Sequence, residues 1–209
     1  YDGTKLTVDG FETLSFTVNG QTYTVEGLTA HAEGTNVSDS KAVTVTGTPV
    51  VKDTAGNDVT AQFTVTTKNG TLTINPVAIE LTAASGSKPY DGTALTNDGY
   101  TITSGKFVGE EGLASVTVEG SQTLVGSSNN TITGYALKDN TAASDYNITT
   151  RLGTLTVTDR DDGEKYVITV KANSGSKTYD GTKLTVDGFE TLSFTVNGQT
   201  YTVEGLTAH

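Results

Sequence analysis

Four acidic side chains stand close together late in the chain and form its best candidate for a metal site. They are Asp159, Asp161, Asp162 and Glu164, within the segment TDRDDGEK. Carboxylate oxygens at this density suit Ca²⁺, which takes oxygen ligands. The glycine spacing departs from that of an EF-hand loop, and the other predicted junction, INPVAIE, has no acidic cluster. We therefore interpret the segment as a solvated acidic linker, with a calcium ion that stiffens the joint as the alternative.

A second pattern suggests nucleophilic catalysis. The tetrapeptide SGSK begins at Ser85 and again at Ser174, and it matches the S-x-x-K pattern of penicillin-recognising enzymes. That chemistry requires the serine at the start of a helix and a K-T-G partner, whereas here the motif follows a predicted strand and has no such partner. The two histidines, His31 and His209, occupy the same position of a repeated segment, so no triad can be assembled within each repeat. The sequence therefore predicts that the protein is not an enzyme.

The elements that carry these residues are arranged as repeats. Residues 1–31 and 179–209 are identical, and a YDGT box recurs every 89 residues, at Tyr1, Tyr90 and Tyr179. A second signature, NGTLTI from Asn69 and LGTLTV from Leu152, closes the first two repeats. The predicted order is A–B–A.

Three predicted domains follow from this phasing. Residues 1–75 form an A-type repeat that lacks its first strand, residues 77–159 form a complete B-type repeat, and residues 164–209 form the first half of a second A-type repeat. The strand missing from the first A repeat corresponds to KYVITVKA in the last one.

Each YDG box is interpreted as a structural feature. An Asp-Gly pair predicts a turn, and the preceding tyrosine ring is expected to pack into the edge of its repeat. The residues concerned are Tyr1, Asp2, Gly3, Tyr90, Asp91, Gly92, Tyr179, Asp180 and Gly181.

Two kinds of hairpin are predicted from the turns. The segment LSFTVNGQTYTV centres on Asn19 and Gly20, which favour a two-residue type I′ turn and place Phe16 opposite Tyr23.

The closing signatures predict hairpins of the same kind. One centres on Asn69 and Gly70, with Val65 opposite Ile74, and the other centres on Leu152-Gly153 in the B repeat.

Composition limits the partners. Hydrophobic residues make up 34% of the chain, which has 24 Gly, no Cys and a formal net charge of −11. Strand-favouring Thr, Val and Tyr without helical periodicity predict an all-β protein of small tandem domains. The absence of any basic cluster argues against nucleic acid and anionic membranes as partners, and no apolar run is long enough for membrane insertion.

The YDG box after SGSK, together with the GTLTV closer, resembles the YDG/MBG-type repeats of bacterial cell-surface, adhesin-like proteins. The resemblance implies tandem β-domains outside the cell, at the bacterial surface, without catalytic residues or a cofactor. It implies an immunoglobulin-like sandwich as the favoured fold and a β-grasp-like sheet as the alternative.

The function expected from this reasoning is that of a stalk or spacer. Its partners would be the neighbouring repeats of the same chain. The alternative is a low-affinity, multivalent binding module for host glycan or protein. Because the first A repeat lacks an opening strand, head-to-tail stacking or donation of residues 166–171 by a neighbouring chain is also expected.

Overall fold

The computed structural model describes all 209 residues, and the protein is all-β, as the composition predicts. The helical elements are single 3₁₀ turns at Val37–Asp39, Thr60–Gln62, Ala143–Asp145 and Asp162–Glu164. None of these helices is long and apolar enough to cross a membrane.

The chain forms two compact units. The first unit contains residues 1–81, 102–115 and 135–149, and the second contains residues 82–101, 116–134 and 150–209. These units reflect packing, whereas the predicted domains reflect repetition in the sequence. The predicted repeat boundaries therefore stay predictions.

Strand β3 organises the amino-terminal part of the first unit. The strands of this part are β1 (Leu6–Asp9), β2 (Ser15–Val18), β3 (Gln21–Gly34), β4 (Lys41–Val43), β5 (Val45–Lys52) and β6 (Gly70–Leu72). β3 pairs antiparallel with β1, β2 and β5, and β4 pairs antiparallel with β6. Ala32, Val43, Leu72 and Ile74 form a buried cluster, against which Tyr1 packs. Burying these apolar side chains stabilises the pairing of short strands that would be marginal alone.

Five further strands have residues in both units. They are β7 (Val77–Ala83), β9 (Tyr100–Ser104), β10 (Leu113–Glu119), β11 (Gly126–Leu137) and β12 (Tyr146–Arg151). The remaining strands lie in the second unit: β8 (Gly86–Pro89), β13 (Gly153–Thr158), β14 (Ser193–Val196) and β15 (Gln199–Thr202). The sheets have the orders β10-β11-β13-β8, β12-β7-β9 and β14-β15, and β8 runs parallel to β13. The immunoglobulin-like assignment stays a prediction.

The first predicted hairpin is confirmed. β2 and β3 pair with Phe16 opposite Tyr23 and Val18 opposite Gln21. Asn19 has φ 51° and Gly20 has φ 78°. Positive φ at both central residues is what a type I′ turn requires.

The predicted closing hairpins are wrong. β6 pairs with β4 rather than with residues 63–68, which have no strand, and β12 and β13 lie in different sheets. Neither Asn69 nor Gly70 has positive φ, so this Asn-Gly pair does not turn the chain back. Gly153 likewise lies within β13, where an added Cβ would meet the Ala84 carbonyl oxygen at 2.3 Å. Tertiary pairing has overridden the local turn preference in both closers.

The predicted opening strand of the second A repeat is also wrong. Residues 165–171 have no strand assignment, and the side chain of Val167 is 91% exposed. A strand needs hydrogen-bonding partners, and this segment has one isolated bridge, between Ala172 and Phe189.

Candidate functional site at the repeat junctions

The three YDG boxes share one local geometry. In each box an aspartate Oδ1 accepts hydrogen bonds from the backbone N–H and the hydroxyl of the threonine two residues later. The two distances are 2.8 and 2.6 Å from Asp2, 2.9 and 2.8 Å from Asp91, and 2.9 and 2.8 Å from Asp180. The intervening glycines, Gly3, Gly92 and Gly181, have φ between 77° and 80°. The box is therefore an Asx-type turn that only glycine completes without strain.

A lysine completes the turn in the second and third boxes. Lys88 Nζ lies 2.8 Å from Asp91 Oδ1 and 2.7 Å from Thr93 Oγ1. Lys177 bonds Asp180 Oδ1 in the same way, at 2.8 Å. The lysine hydrogen bond is the main cause that holds the pKa of Asp91, and that of Asp180, below the usual range. The lysine of SGSK thus stabilises a turn. Its constant spacing from the aspartate in both boxes would have indicated this role.

The first junction lies within the first unit and begins with Tyr1. The Tyr1 hydroxyl donates to Glu111 Oε1 at 2.7 Å, and its ring meets the edge of Tyr146 at 5.8 Å between centroids and 83° between planes. The Tyr146 hydroxyl donates to the other oxygen of Glu111 and accepts the Val108 N–H at 2.9 Å. One carboxylate therefore joins the box of the first repeat to the B repeat. Sequence reasoning did not assign Glu111 or Tyr146 to a contact between repeats.

These contacts keep both phenols protonated. The hydrogen bond to Glu111 is the largest cause that raises the pKa of Tyr1 well above its usual range. Burial, followed by the bond to Glu111, raises the pKa of Tyr146 to about 12. Ionising either phenol would place a second negative charge beside the carboxylate.

A buried aspartate adds a second tie at the same junction. Asp145 is 1% exposed, and its Oδ1 accepts the backbone N–H of Val37 at 2.7 Å. Gly3 also approaches the B repeat closely, since an added Cβ would lie 2.8 Å from Val108 Cγ1. The first junction thus combines ring packing, two acidic acceptors and one close backbone approach.

The second junction lies within the second unit and begins with Tyr90. The Tyr90 and Tyr201 hydroxyls lie 3.0 Å apart, and the side-chain amide of Asn197 donates to the Asp91 carbonyl at 3.1 Å. The hydrogen bond with Tyr90 is the main cause that raises the pKa of Tyr201 to about 12. A Cβ on Gly92 would lie 2.2 Å from the Tyr201 hydroxyl oxygen. The box of the B repeat therefore contacts the hairpin of the following A repeat.

The third box has the same turn but no junction. Tyr179 is 93% exposed, and nothing lies within 4 Å of a Cβ added to Gly181. The tyrosine of the box therefore contacts another repeat at Tyr1 and at Tyr90, whereas at Tyr179 it is exposed to solvent.

The acidic segment is held by local contacts. Asp162 pairs with Lys165 at 2.5 Å, and the Glu164 N–H donates to the Asp161 carbonyl at 2.8 Å. Arg160, next to Asp159, donates to the Glu164 carbonyl at 2.6 Å. The chain contains no group of three or more His, Cys, Asp or Glu side chains placed to hold a metal ion. The calcium hypothesis stays a prediction.

Two other predicted residues have backbone roles. Ser85 Oγ accepts the Thr154 N–H at 3.0 Å, and the Asn69 side-chain oxygen accepts the Val45 N–H at 3.2 Å. His31 and His209 each contact an aspartate on the facing segment, Asp9 and Asp187 respectively.

Comparison with protein-family models, curated proteins and solved structures finds no match to this chain. The resemblance to YDG/MBG-type repeats therefore rests on the motifs of the sequence.

Proposed function

We propose that the chain is a stalk or spacer segment of a bacterial cell-surface, adhesin-like protein, in which tandem repeats project a distal region from the envelope. The observation that carries this proposal is the pair of box-mediated junctions. Tyr1 and Tyr90 begin boxes of different repeats, and each contacts residues of the repeat that follows.

A spacer must resist bending between its repeats, and a chain of independent domains on flexible linkers would not. Ring packing, a shared carboxylate and close glycine contacts restrict motion at a junction. The strongly acidic composition further opposes self-association of the surfaces between junctions. The proposal places the protein outside the cell and assigns it no catalysis and no cofactor.

Matched glycine variants test the proposal. Gly92→Ala introduces a methyl group where the Tyr201 hydroxyl lies, whereas Gly181→Ala has the same φ and no neighbour within 4 Å. Both variants carry the same backbone strain, and Gly92→Ala alone should disturb a junction. We expect NMR relaxation of residues 193–202 to show faster, more independent motion in Gly92→Ala than in the wild type or Gly181→Ala. Equal relaxation in all three proteins would remove the mechanical basis of the proposal.

A panel of binding measurements distinguishes the spacer from the alternative, a multivalent binding module. The intact chain would be tested against mucins, matrix proteins and glycans at high concentration. The spacer proposal expects no saturable binding. Saturable binding that strengthens when chains are linked in tandem would instead assign adhesion to the repeat itself.

A further inference from the structure

The second junction brings two phenol groups into direct contact. The hydroxyl oxygens of Tyr90 and Tyr201 lie 3.0 Å apart, although the two residues are 111 positions apart in the chain. Both side chains are partly buried. The tyrosine pair of the first junction is arranged differently, because Tyr1 and Tyr146 each donate to the carboxylate of Glu111 rather than to each other. The direct contact of two phenols therefore distinguishes the second junction from the first.

Both tyrosines are held in place by contacts of their backbones. Tyr201 lies in β15, where it pairs with Phe194 of β14. The Tyr90 N–H donates to the Thr158 carbonyl at 2.9 Å, and the Tyr90 carbonyl accepts a hydrogen bond from Arg160 Nη1 at 3.2 Å. Contacts outside the pair therefore restrict both residues, and the two hydroxyls do not depend on a chance encounter to meet.

Gly92 leaves open the space that the Tyr201 hydroxyl occupies. A Cβ added to this glycine would lie 2.2 Å from the hydroxyl oxygen and 3.5 Å from Cζ of the same ring. A side chain at this position would therefore displace the hydroxyl end of Tyr201. The glycine of the box thus helps to set the distance between the two phenols.

The contact joins the atoms through which phenols couple when they are oxidised. Loss of one electron and one proton converts a phenol into a phenoxyl radical, whose unpaired electron is shared between the oxygen and ring carbons that include both Cε atoms. Because Tyr90 and Tyr201 meet through their hydroxyl ends, these reactive positions of both rings lie at the contact. Two radicals formed there would couple within one molecule and would not require a diffusional encounter.

A cavity beside the pair gives small oxidants access to it. The cavity has a volume of about 580 Å³, and Tyr90, Lys165 and Tyr166 are among the residues that line it. Tyr166 is 40% exposed, and the side chain of Lys165 is 64% exposed, so the cavity is open to solvent. A small oxidant can therefore reach Tyr90 while the junction stays folded.

We infer that Tyr90 and Tyr201 form an oxidative crosslinking site, at which one-electron oxidation by a peroxide joins the two rings covalently. Each phenol loses one electron and one proton, and the two radicals form a bond from Cε of one ring to Cε or the hydroxyl oxygen of the other. The O–O bond of the peroxide breaks as it accepts the two electrons, and the two protons pass to the reduced peroxide or to water. The inference does not depend on the spacer proposal, since it concerns the chemistry of one contact.

The crosslink would convert a hydrogen-bonded junction into a covalent one. It would close a loop of more than half the chain, because 111 positions separate the two tyrosines. A link of this kind restricts the unfolded chain, as a disulfide does, and this restriction favours the folded state.

Oxidation of the intact chain tests the inference. Persulfate with light-activated ruthenium tris(bipyridine) supplies a small one-electron oxidant, and mass spectrometry of a proteolytic digest identifies the crosslinked peptides. At low protein concentration the main product should contain Tyr90 and Tyr201 and should be lighter than the two separate peptides by two hydrogen atoms. Tyr90→Phe and Tyr201→Phe should each abolish this product. Tyr179→Phe, which alters an exposed tyrosine of another box, should leave its yield unchanged.

Glycine variants test the geometry while both phenols stay in the chain. Gly92→Ala should lower the yield of the Tyr90–Tyr201 product about tenfold or more, because the added methyl group displaces the Tyr201 hydroxyl. Gly181→Ala has a matching positive φ and no neighbour within 4 Å, so it should crosslink as the wild type does. In urea, the unfolded chain should distribute its crosslinks over many of the nine tyrosines. The inference is overturned if the main product of the folded chain joins other tyrosines, if no crosslink forms, or if Gly92→Ala and the wild type crosslink equally.

Discussion

Residues 1–31 and residues 179–209 have the same sequence, and the Asn-Gly hairpin forms in both copies with the same pairing. Beyond the hairpin the copies differ. In the first copy β1 pairs with β3 from Leu6↔Gly34 to Asp9↔His31, whereas residues 184–187 have no strand. Asp187 and His209 still contact each other at 3.0 Å, and Gly188 still donates to Ala208.

The difference shows which parts of the structure are local. The hairpin needs only the residues it contains, because positive φ at Asn19 and Gly20 sets its register. The β1–β3 ladder needs Ala32–Gly34 as partners and the buried cluster around Leu72 as support. In the second copy no residues correspond to these, and the ladder stops at the last available partner.

The largest expected effect comes from a substitution in the buried cluster around Leu72, which supports the β1–β3 ladder. Leu72→Ala deletes a side chain that is 1% exposed and should lower the free energy of unfolding by about 2–5 kcal/mol. Hydrogen exchange should then show that β1 loses protection while the 15–24 hairpin keeps it, so the first copy comes to resemble the second. Leu184→Ala, at an exposed position of the second copy, is the control and should cost less than about 0.5 kcal/mol. Equal loss of protection in β1 and in the hairpin would mean that the hairpin also depends on the cluster.

The tyrosine that begins each copy provides a matched pair. Tyr1→Phe removes the hydrogen bond to Glu111 and should cost about 1–3 kcal/mol, because the acceptor is charged. Tyr179→Phe changes an exposed side chain and should cost nothing measurable. Urea unfolding of both variants gives the comparison. Equal free energies of unfolding for the two variants would show that the Tyr1 hydroxyl does not stabilise the first junction.

Alkaline pH should weaken the first junction. The folded chain holds the phenolic protons of Tyr1 and Tyr146 to higher pH than the unfolded chain does, since both pKa values are raised. Their stabilisation is therefore complete below about pH 10 and is lost as the pH rises towards about 12. Unfolding free energy measured against pH should fall through this window, and the fall should be shallower in Tyr1→Phe. An identical slope in that variant would exclude Tyr1 as a source of the pH dependence.

The smallest expected effect is the difference between the Asn-Gly pairs that form turns and the Asn69-Gly70 pair, which does not. Gly20→Ala forces a Cβ into positive φ and should cost about 1 kcal/mol, as should Gly198→Ala in the second copy. Gly70→Ala lies in a strand, with Val43 Cβ at an ordinary 3.5 Å, and should change stability by less than about 0.5 kcal/mol. Thermal unfolding of the three variants would show the ranking. A cost at Gly70 equal to that at Gly20 would contradict the assigned turn geometry.

Sequence reasoning correctly predicted the features that depend on residues close together in the chain. The all-β class and the Phe16–Tyr23 pairing follow from strand-favouring residues around a type I′ turn. The same reasoning failed at Asn69-Gly70, because Gly70 begins β6 and pairs with β4, and the Asn69 side chain accepts the Val45 N–H, so the chain does not turn back at this pair. Glu111 and Tyr146 could not be assigned to the site, since their partner Tyr1 is distant in sequence and nothing in the spacing connects them. The role of Lys88 could have been predicted, because its position relative to Asp91 recurs at Lys177 relative to Asp180.

The carboxylate of Glu111 also gives the first junction an optical property. The chain has nine tyrosines and no tryptophan, so its intrinsic ultraviolet emission comes from tyrosine alone. A phenol that donates to a carboxylate can transfer its proton in the excited state, which quenches emission. Tyr1 and Tyr146 both donate to Glu111, so we expect their emission to be quenched while these hydrogen bonds are intact. If separating the first repeat from the B repeat breaks these hydrogen bonds, tyrosine emission should rise, and a steady-state fluorescence measurement would detect the separation without an added label.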